Sequence, residues 1–456
     1  MPVNPALAPV APTERISAVD MVRGFALLGI LLMNIVGFAL PGNAYGDPTI
    51  AGGATGSNLA TWAINYILFE GKMRALFSML FGAGVVLLSS RLEQRDPTAG
   101  VADIYYRRVL WLLAFGLVHA YFFWEGDILY FYAVCGLILF PFRKLTPKGL
   151  VLAGLLVLAV LVPKNIREGL EMRSQYEKAT AADAAAAAGK TLTEEQRDAQ
   201  KEWTEKLKDW KPSASEIEKE TADHRGGYWK LYQRREKSVS RVESVGFYRW
   251  GFFDSASMML LGMGLIRLGF FSATRSYREY ALTALAGYAV GIAINSYVAY
   301  WNVRLQFEVV PTLFRWTPYG ILNWTGYDVE RLAVALAHAS VLMMICKAGL
   351  LRWLTSRLAA VGQMALTNYF THTIVCTTLF NGYGFGLFGK LQRYQVYYVV
   401  LAIWAVQLAG SKVWLRHFRF GPVEWLWRSL TYWKRQPMRL AEPALSIREA
   451  VAGTGG

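Results

Sequence analysis

The feature that most constrains this chain is a series of long apolar runs that end at basic residues. Runs of about 15 to 22 apolar residues recur, near the length that crosses the hydrocarbon core of a bilayer as an α-helix. Only 18% of the residues are charged, against about a quarter in soluble domains. The pattern predicts an all-α, polytopic membrane helix bundle, because the short alternating segments of a transmembrane β-barrel are not visible.

We predict ten transmembrane helices. The second is expected to break at Glu70-Gly71-Lys72, with an interfacial piece before Gly71 and a spanning piece after it. The ten spans are placed near residues 21–40, 60–90, 106–124, 128–142, 148–163, 248–267, 279–300, 331–346, 359–380 and 394–413.

The basic residues of the connecting loops predict the orientation. Lys and Arg collect in alternate loops, whereas the opposite loops 41–58, 125–127 and 301–330 carry few of them. The positive-inside rule then places both termini in the cytoplasm. Nearly all of the net charge of +15 flanks the spans, so we expect the lipid bilayer and no nucleic acid as the partner.

One long polar segment divides the chain. Its residues are rich in Ala, Glu and Lys, and its charges nearly cancel, which favours exposed helices with i,i+4 ion pairs. The predicted domains are 1–163 with spans 1 to 5, an extracytoplasmic helical insert 164–247, 248–413 with spans 6 to 10, and a cytoplasmic interfacial helix with a tail in 414–456.

Polar residues in the first span need a reason, because a charge in the hydrocarbon costs on the order of 3 kcal/mol on insertion scales. The spacing of Ser17 and Asp20 predicts a capping box. Asp20 and Arg23 are also expected to pair at i,i+3. Asn34 lies deeper, where it either bonds a neighbouring helix or lines a polar cavity.

Further polar residues interrupt the second and ninth spans. Interhelical hydrogen bonding and a substrate path are both open interpretations of them. In the second span, an ion pair between Glu70 and Arg74 would explain most of the polar character. The candidates for such a path are Glu70, Arg74, Gln363, Thr367, Asn368, Thr371 and His372.

The segment GLVHAYFFWEGDILYFY carries a histidine and an acidic turn. Glu125-Gly126-Asp127 is the predicted outer turn between spans 3 and 4, and His119 lies about 9 Å below it at helical rise. The turn can bring the Asp127 carboxylate to the imidazole, which would fix the tautomer. The alternative is a neutral His119 that bonds a neighbouring helix while Asp127 caps span 4.

Several site classes have no sequence support. Cys135, Cys346 and Cys376 lie singly in apolar segments, so no metal site or disulfide is predicted. The glycine-rich loop 382–389 is expected to be a tight hairpin rather than a phosphate site. No cofactor is predicted from these motifs.

Five segments form a set: RISAVDMVRGFALLGILLMNI, EGKMRALFSMLFGAG, GLVHAYFFWEGDILYFYAVCG, GQMALTNYFTHTI and FRFGPVEWLWRSLTYW. Together they resemble the YeiB-type family of bacterial polytopic membrane proteins of unknown function. The helix start with Asp20 and Arg23 is more distantly similar to that of transmembrane acyltransferases. Those resemblances imply the bacterial cytoplasmic (inner) membrane, a cytosolic acyl-CoA donor and an extracytoplasmic polysaccharide or lipid acceptor.

Three hypotheses follow, and whether the chain is an enzyme is open. For an acyltransferase, His119 is the candidate base, Asp127 its orienting group and Asn34 a donor to the thioester oxygen. Many of the similar polysaccharide enzymes have a histidine where this chain has Asn34, so the base has to lie elsewhere. The alternatives are a permease for a small solute or lipid, and a non-enzymatic membrane scaffold.

Overall fold

The computed structural model describes residues 15–95, 100–208, 210–308 and 317–440. Every regular element within these ranges is helical, which confirms the all-α prediction. Both chain ends, before residue 15 and beyond residue 440, and part of the loop 301–330 lie outside the described residues, so the predictions for them are not addressed by the structure.

The helices are numbered in chain order. Before the insert they are α1 Ser17–Ala39, α2 Gly56–Leu68, α3 Lys72–Arg95, α4 Val101–Phe122, α5 Leu129–Leu139 and α6 Pro147–Ala159. In the insert they are α7 Leu161–Ala187, α8 Glu194–Lys208, α9 Ala214–His224 and α10 Tyr228–Arg241, followed by a π-helical segment Val242–Gly251. After it they are α11 Phe252–Arg267, α12 Tyr277–Arg304, α13 Pro318–Lys347, α14 Arg352–Gln363, α15 Ala365–Phe380, α16 Arg393–His417 and α17 Pro422–Thr431.

Among the described residues, six helical stretches are long and apolar enough to cross a membrane. This bears out the membrane prediction. The remaining predicted spans are shorter, interrupted or more polar, so the count of ten and the orientation stay predictions. The six stretches are Ser17–Ala39, Gly56–Arg95, Pro147–Ala187, Tyr277–Arg304, Thr325–Lys347 and Arg393–His417.

Several helix bounds differ from the prediction. The break in the second span is present, and Gly71 holds it with a φ of 70° that a side chain would strain. The ninth span is not one helix, because the chain breaks at Met364 between α14 and α15. The eighth begins at Pro318 rather than near 331, with the Thr317 hydroxyl capping it.

Close glycine contacts hold two helix pairs together. A Cβ on Gly82 of α3 would overlap the Met259 carbonyl of α11, and a Cβ on Gly262 of α11 would overlap the Met79 carbonyl of α3. Gly24 and Gly362 join α1 and α14 in the same reciprocal way. Small residues that let two helix backbones touch are the usual packing device in membranes.

The second half of the insert is docked on the helical bundle. The His224 ring stacks on Phe388 with centroids 3.9 Å apart, and the Arg225 guanidinium donates to the Phe388 carbonyl at 2.8 Å. The Tyr228 hydroxyl donates to the Phe122 carbonyl at 2.8 Å. We call this end of the bundle the insert end.

The opposite end carries the side chains of Arg15, Arg108 and Arg428, and we call it the arginine end. Helix α4 connects the two, with Arg108 near its first turns and Phe122 at its last residue. The positive-inside rule predicts that the arginine end is cytoplasmic.

Candidate functional site

His119 is the centre of a buried polar triplet. Its side chain is 0% exposed, and its Nδ1 atom lies 2.8 Å from Oδ1 of Asp127. On the other side of the ring, Nε2 lies 2.8 Å from the Thr373 hydroxyl. The structure therefore brings together His119 and Asp127, the two residues proposed from the acidic turn, and adds Thr373 from α15.

The turn after α4 positions the Asp127 carboxylate. Oδ2 accepts a hydrogen bond from the Tyr130 backbone N–H at 2.8 Å, in the first turn of α5. Oδ1 contacts His119 and lies 3.4 Å from the Tyr369 hydroxyl, which donates to it. One carboxylate thus accepts from the helix start through Oδ2 and lies against the imidazole through Oδ1.

The triplet has the connectivity of a nucleophile or relay, a base and an orienting acid. In the tautomer with the proton on Nδ1, beside the Asp127 carboxylate, Nε2 is the acceptor for the Thr373 hydroxyl. The other acceptor near that hydroxyl, the Tyr369 carbonyl, is 3.5 Å away. The 2.8 Å contact between Nε2 and Thr373 lies within the range expected of a catalytic hydrogen bond. The Nδ1 atom lies as close to Asp127, but this contact has the distance of an ion pair without the geometry of a hydrogen bond.

A cavity of about 260 Å³ runs inward from the arginine end. Its mouth holds the guanidinium groups of Arg15, Arg23, Arg91, Arg108 and Arg428, with the carboxylates of Asp20 and Glu424. Its walls are apolar, with residues such as Leu27, Phe77 and Leu112. We call it the arginine-end cavity.

The helix-1 motif lies in this mouth. The predicted capping box is wrong, because α1 is preceded by Ile16 and has no side-chain cap. Asp20 contacts Arg23 at 2.7 Å and Arg15 at 3.6 Å. The Asp20 carboxylate therefore lies between the guanidinium groups of Arg23 and Arg15 at the cavity mouth, and it does not cap α1.

The inner end of the arginine-end cavity reaches the buried triplet. Ile128, Tyr132 and Tyr369 line this end. The Tyr369 ring lies 4.9 Å from the His119 ring, centroid to centroid. One aromatic side chain therefore separates the cavity from the imidazole.

A second cavity, of about 1050 Å³, opens at the insert end. We call it the insert basin; its walls come from α7 to α10 and the π-helical segment, and Glu125 lines it. Burial raises the pKa of Glu125. Burial, together with the neighbouring charge of Asp127, raises the pKa of Glu243 to about 7. The insert basin and the arginine-end cavity thus both reach one short turn, since Glu125 lines the first and Ile128 the second.

The chain is similar to bacterial proteins without an assigned activity. It is 33% identical over 443 residues to the uncharacterized protein YeiB of Escherichia coli strain K12, covering 95% of this chain and 99% of the relative. The chain belongs to the YeiB family. Uncharacterized protein YxaH of Bacillus subtilis strain 168 is 28% identical over 453 residues, covering 95% and 98%. Residues 265–434 match the family described as protein of unknown function (DUF418), and no solved structure matches.

The polar residues of the predicted ninth span form two stripes at i,i+4 spacing, one of Asn368 and His372 and the other of Gln363, Thr367 and Thr371. Both stripes of this YeiB-family chain have partners inside the bundle. Asn368 donates to Ser411 at 3.1 Å, and His372 bonds Gln407 at 2.8 Å, so this stripe joins α15 to α16. Thr371 donates to the carbonyl of Thr367 at 2.9 Å.

Two residues of the other stripe lie near the arginine end. Glu424 of α17 accepts from the Thr367 hydroxyl and from the backbone N–H groups of Leu366 and Thr367. This carboxylate satisfies the start of α15, which explains how a helix can begin after the Met364 break. Among the stripe residues that the structure describes, Gln363 alone lines the arginine-end cavity.

Asn34 lies half-buried on α1, and within the described part of the chain its side chain lines neither cavity. Its predicted role as a donor to the thioester oxygen stays a prediction. Thr373 was missed because a threonine in an apolar helix usually bonds its own backbone. The sequence did offer one indication, because Thr373 lies four residues after Tyr369 and residues at this spacing share one face of a helix.

A buried charge cluster was also missed. Lys72 contacts Glu330 at 3.0 Å and the Asn295 amide oxygen at 3.2 Å. Glu330 lies in α13 beyond its first turns, in a segment that the sequence placed in a loop. Because that segment was predicted to be a loop outside the membrane, a charged residue in it did not indicate a buried ion pair.

The same cluster takes in the predicted pair Glu70 and Arg74. The Tyr327 hydroxyl bridges them, at 3.3 Å from Glu70 and 3.4 Å from Arg74. Arg74 also contacts Asp254 at 3.0 Å, and Asp254 contacts the fully buried Arg331.

Proposed function

We propose that this YeiB-family protein transfers an acyl group from a coenzyme A thioester at the arginine end to an acceptor at the insert end. One observation carries the proposal: the turn from Glu125 to Ile128, which holds Asp127 of the His119 triplet, contributes one residue to each of two cavities from opposite ends of the bundle. A reaction across a membrane needs a site that both substrates approach from their own sides.

The arginine end suits the donor. Guanidinium groups bind phosphate through paired, charge-assisted hydrogen bonds, and a nucleotide-bearing thioester carries several phosphates. The mouth has five guanidinium groups against two carboxylates, and the deeper walls are apolar. The phosphates would therefore stay at the mouth while the acyl thioester extends toward Tyr369.

The triplet suits the proton transfer. As the acceptor oxygen or nitrogen attacks the thioester carbon, its proton passes to Thr373 Oγ1 while the Thr373 hydrogen passes to Nε2 of His119. Asp127 stabilises the imidazolium that forms. The C–S bond then breaks, and the thiolate takes up that proton, so the triplet returns to its first state.

Tyr369 stands between the cavity and the base. Its ring has to turn aside before the thioester reaches the triplet, and its hydroxyl is then a donor for the developing oxyanion. Tyr369→Phe keeps the ring and removes that donor, so it separates the two contributions.

The test measures thiol release from acetyl-CoA and longer acyl-CoA thioesters by purified protein supplied with hydroxyl- and amine-bearing saccharides and lipids. We expect His119→Gln and Thr373→Val to slow release about 10² to 10⁴-fold, the usual contribution of a positioned acid–base group. Thr373→Ser should retain activity. His372→Gln is the matched control, because His372 is a buried histidine bonded to Gln407 and outside the triplet.

An unchanged rate in folded His119→Gln would refute the catalytic role. Absence of coenzyme A thioester binding by the wild-type protein would refute the proposed function. Solute flux through proteoliposomes without thioester consumption would favour a permease, the second candidate. The charge cluster around Lys72 and Arg331 favours that candidate, since buried charges in membrane helices often mark transport paths.

A further inference from the structure

The walls of the insert basin are strongly cationic. Its volume of about 1050 Å³ lies at the upper limit of ordinary small-molecule sites. Seven Lys and Arg side chains line it against three carboxylates. The insert as a whole is nearly neutral, so the fold has gathered positive charge at this surface.

The carboxylates in the walls are too few to neutralise these cations. Asp223 is shared by Lys230 at 3.0 Å and Arg234 at 3.6 Å, and Glu168 pairs with Arg249 at 2.7 Å. The third carboxylate is Glu125, whose pKa is raised by burial.

Aromatic rings line the same cavity. Trp210 and Trp250 both face it. A broad indole face packs against the apolar face of a sugar ring, while surrounding cations bind carboxylate or phosphate groups. The basin is formed mainly by the polar insert and is larger than a lipid headgroup requires, so a saccharide fits it better than a lipid does.

We propose that the insert basin binds an anionic saccharide, with carboxylate or phosphate groups, and that this saccharide is the acyl acceptor. Its role as acceptor rests on the proposed function; its binding does not. Glu125 lines the basin two residues before Asp127, so a hydroxyl of the bound saccharide approaches the turn that holds the His119 triplet.

The experiment measures binding of trigalacturonic acid by the full-length protein in phosphatidylcholine nanodiscs. Maltotriose, with three uncharged rings, is the ligand control. The test variant is Lys219→Glu with Lys237→Glu, both exposed and in the basin wall. The control variant is Lys178→Glu with Lys201→Glu, which makes the same charge change on exposed parts of the insert outside the basin.

We expect the basin variant to bind trigalacturonic acid at least tenfold more weakly than the wild type, and the control variant to bind it as the wild type does. Maltotriose should bind at least tenfold more weakly, and added salt should weaken trigalacturonic acid binding. Equal binding by the basin variant, or equal binding of maltotriose, would overturn the proposal. Loss of trigalacturonic acid binding when phosphatidylglycerol is added to the nanodiscs would assign the basin to a lipid headgroup and overturn it too.

A second measurement separates this proposal from the proposed function. Coenzyme A binding at the arginine end should be unchanged in the basin variant. Saccharide binding without any coenzyme A binding would leave the basin assignment in place and refute acyl transfer. Coenzyme A binding and thiol release without saccharide binding would do the reverse.

Discussion

Replacing Lys72 by methionine removes the positive member of a fully buried ion pair while nearly preserving its volume. The Lys72 ammonium lies 3.0 Å from Glu330 and donates to the Tyr66 carbonyl at 2.9 Å. The two side chains are 0% and 4% exposed, so water cannot replace the lost partner. Removing one member of such a pair costs about 3 to 5 kcal/mol, because a buried charge is left without compensation.

The double variant Lys72→Met with Glu330→Leu separates that penalty from the value of the pair. It removes both charges, and the remaining loss comes from the amide of Asn295 and the carbonyl of Tyr66, at about 1 kcal/mol for each hydrogen bond. We therefore expect the double variant to be more stable than Lys72→Met alone.

The buried thiols of the chain supply the assay. Cys135 and Cys376 are 0% exposed, so a thiol-reactive fluorophore reports their exposure as the protein unfolds in a denaturant series. The midpoints of the wild type, both single variants and the double variant complete the cycle. A loss in the double variant equal to the sum of the two single losses would refute the pairing argument.

Three further outcomes are expected. The pKa of Glu243 is raised to about 7, so its stabilising contribution is present at low pH and is lost as the pH rises from about 5 to 8. The thermal midpoint of unfolding should therefore fall over that pH range, and it should fall less steeply in Glu243→Gln. Gly262→Ala should destabilise the protein by about 1 to 3 kcal/mol or prevent folding, since its Cβ meets a backbone carbonyl of α3. Gly410→Ala should not, because there is open space around Gly410. Equal stability of the two variants in the same denaturant series would contradict this packing. A cysteine at Ser213 should react with an impermeant maleimide in intact cells, and reaction only after lysis would reverse the predicted orientation.

Local pattern was enough for much of the architecture. The length and apolarity of the runs predicted membrane helices, because hydropathy over about 20 residues is a property of each segment alone. The break at Gly71 was also predictable from local sequence, because Glu70-Gly71-Lys72 interrupts an apolar run. The pairing of His119 with Asp127 was also predictable, since a single turn lies between them.

Tertiary packing decided the rest of the candidate site. Thr373 lies 254 positions from His119, and Glu330 lies 258 positions from Lys72. Nothing in the local periodicity of α3, α4, α13 or α15 selects these partners, because the rotation and depth of each helix depend on its neighbours. The close glycine contacts and the Glu424 carboxylate at the start of α15 fix those rotations only in the assembled bundle. The sequence alone therefore predicted a membrane protein built of helices and the turn that carries the acid. The three-dimensional packing determined what each buried charge meets, and it gathered the cations of a nearly neutral insert around one basin.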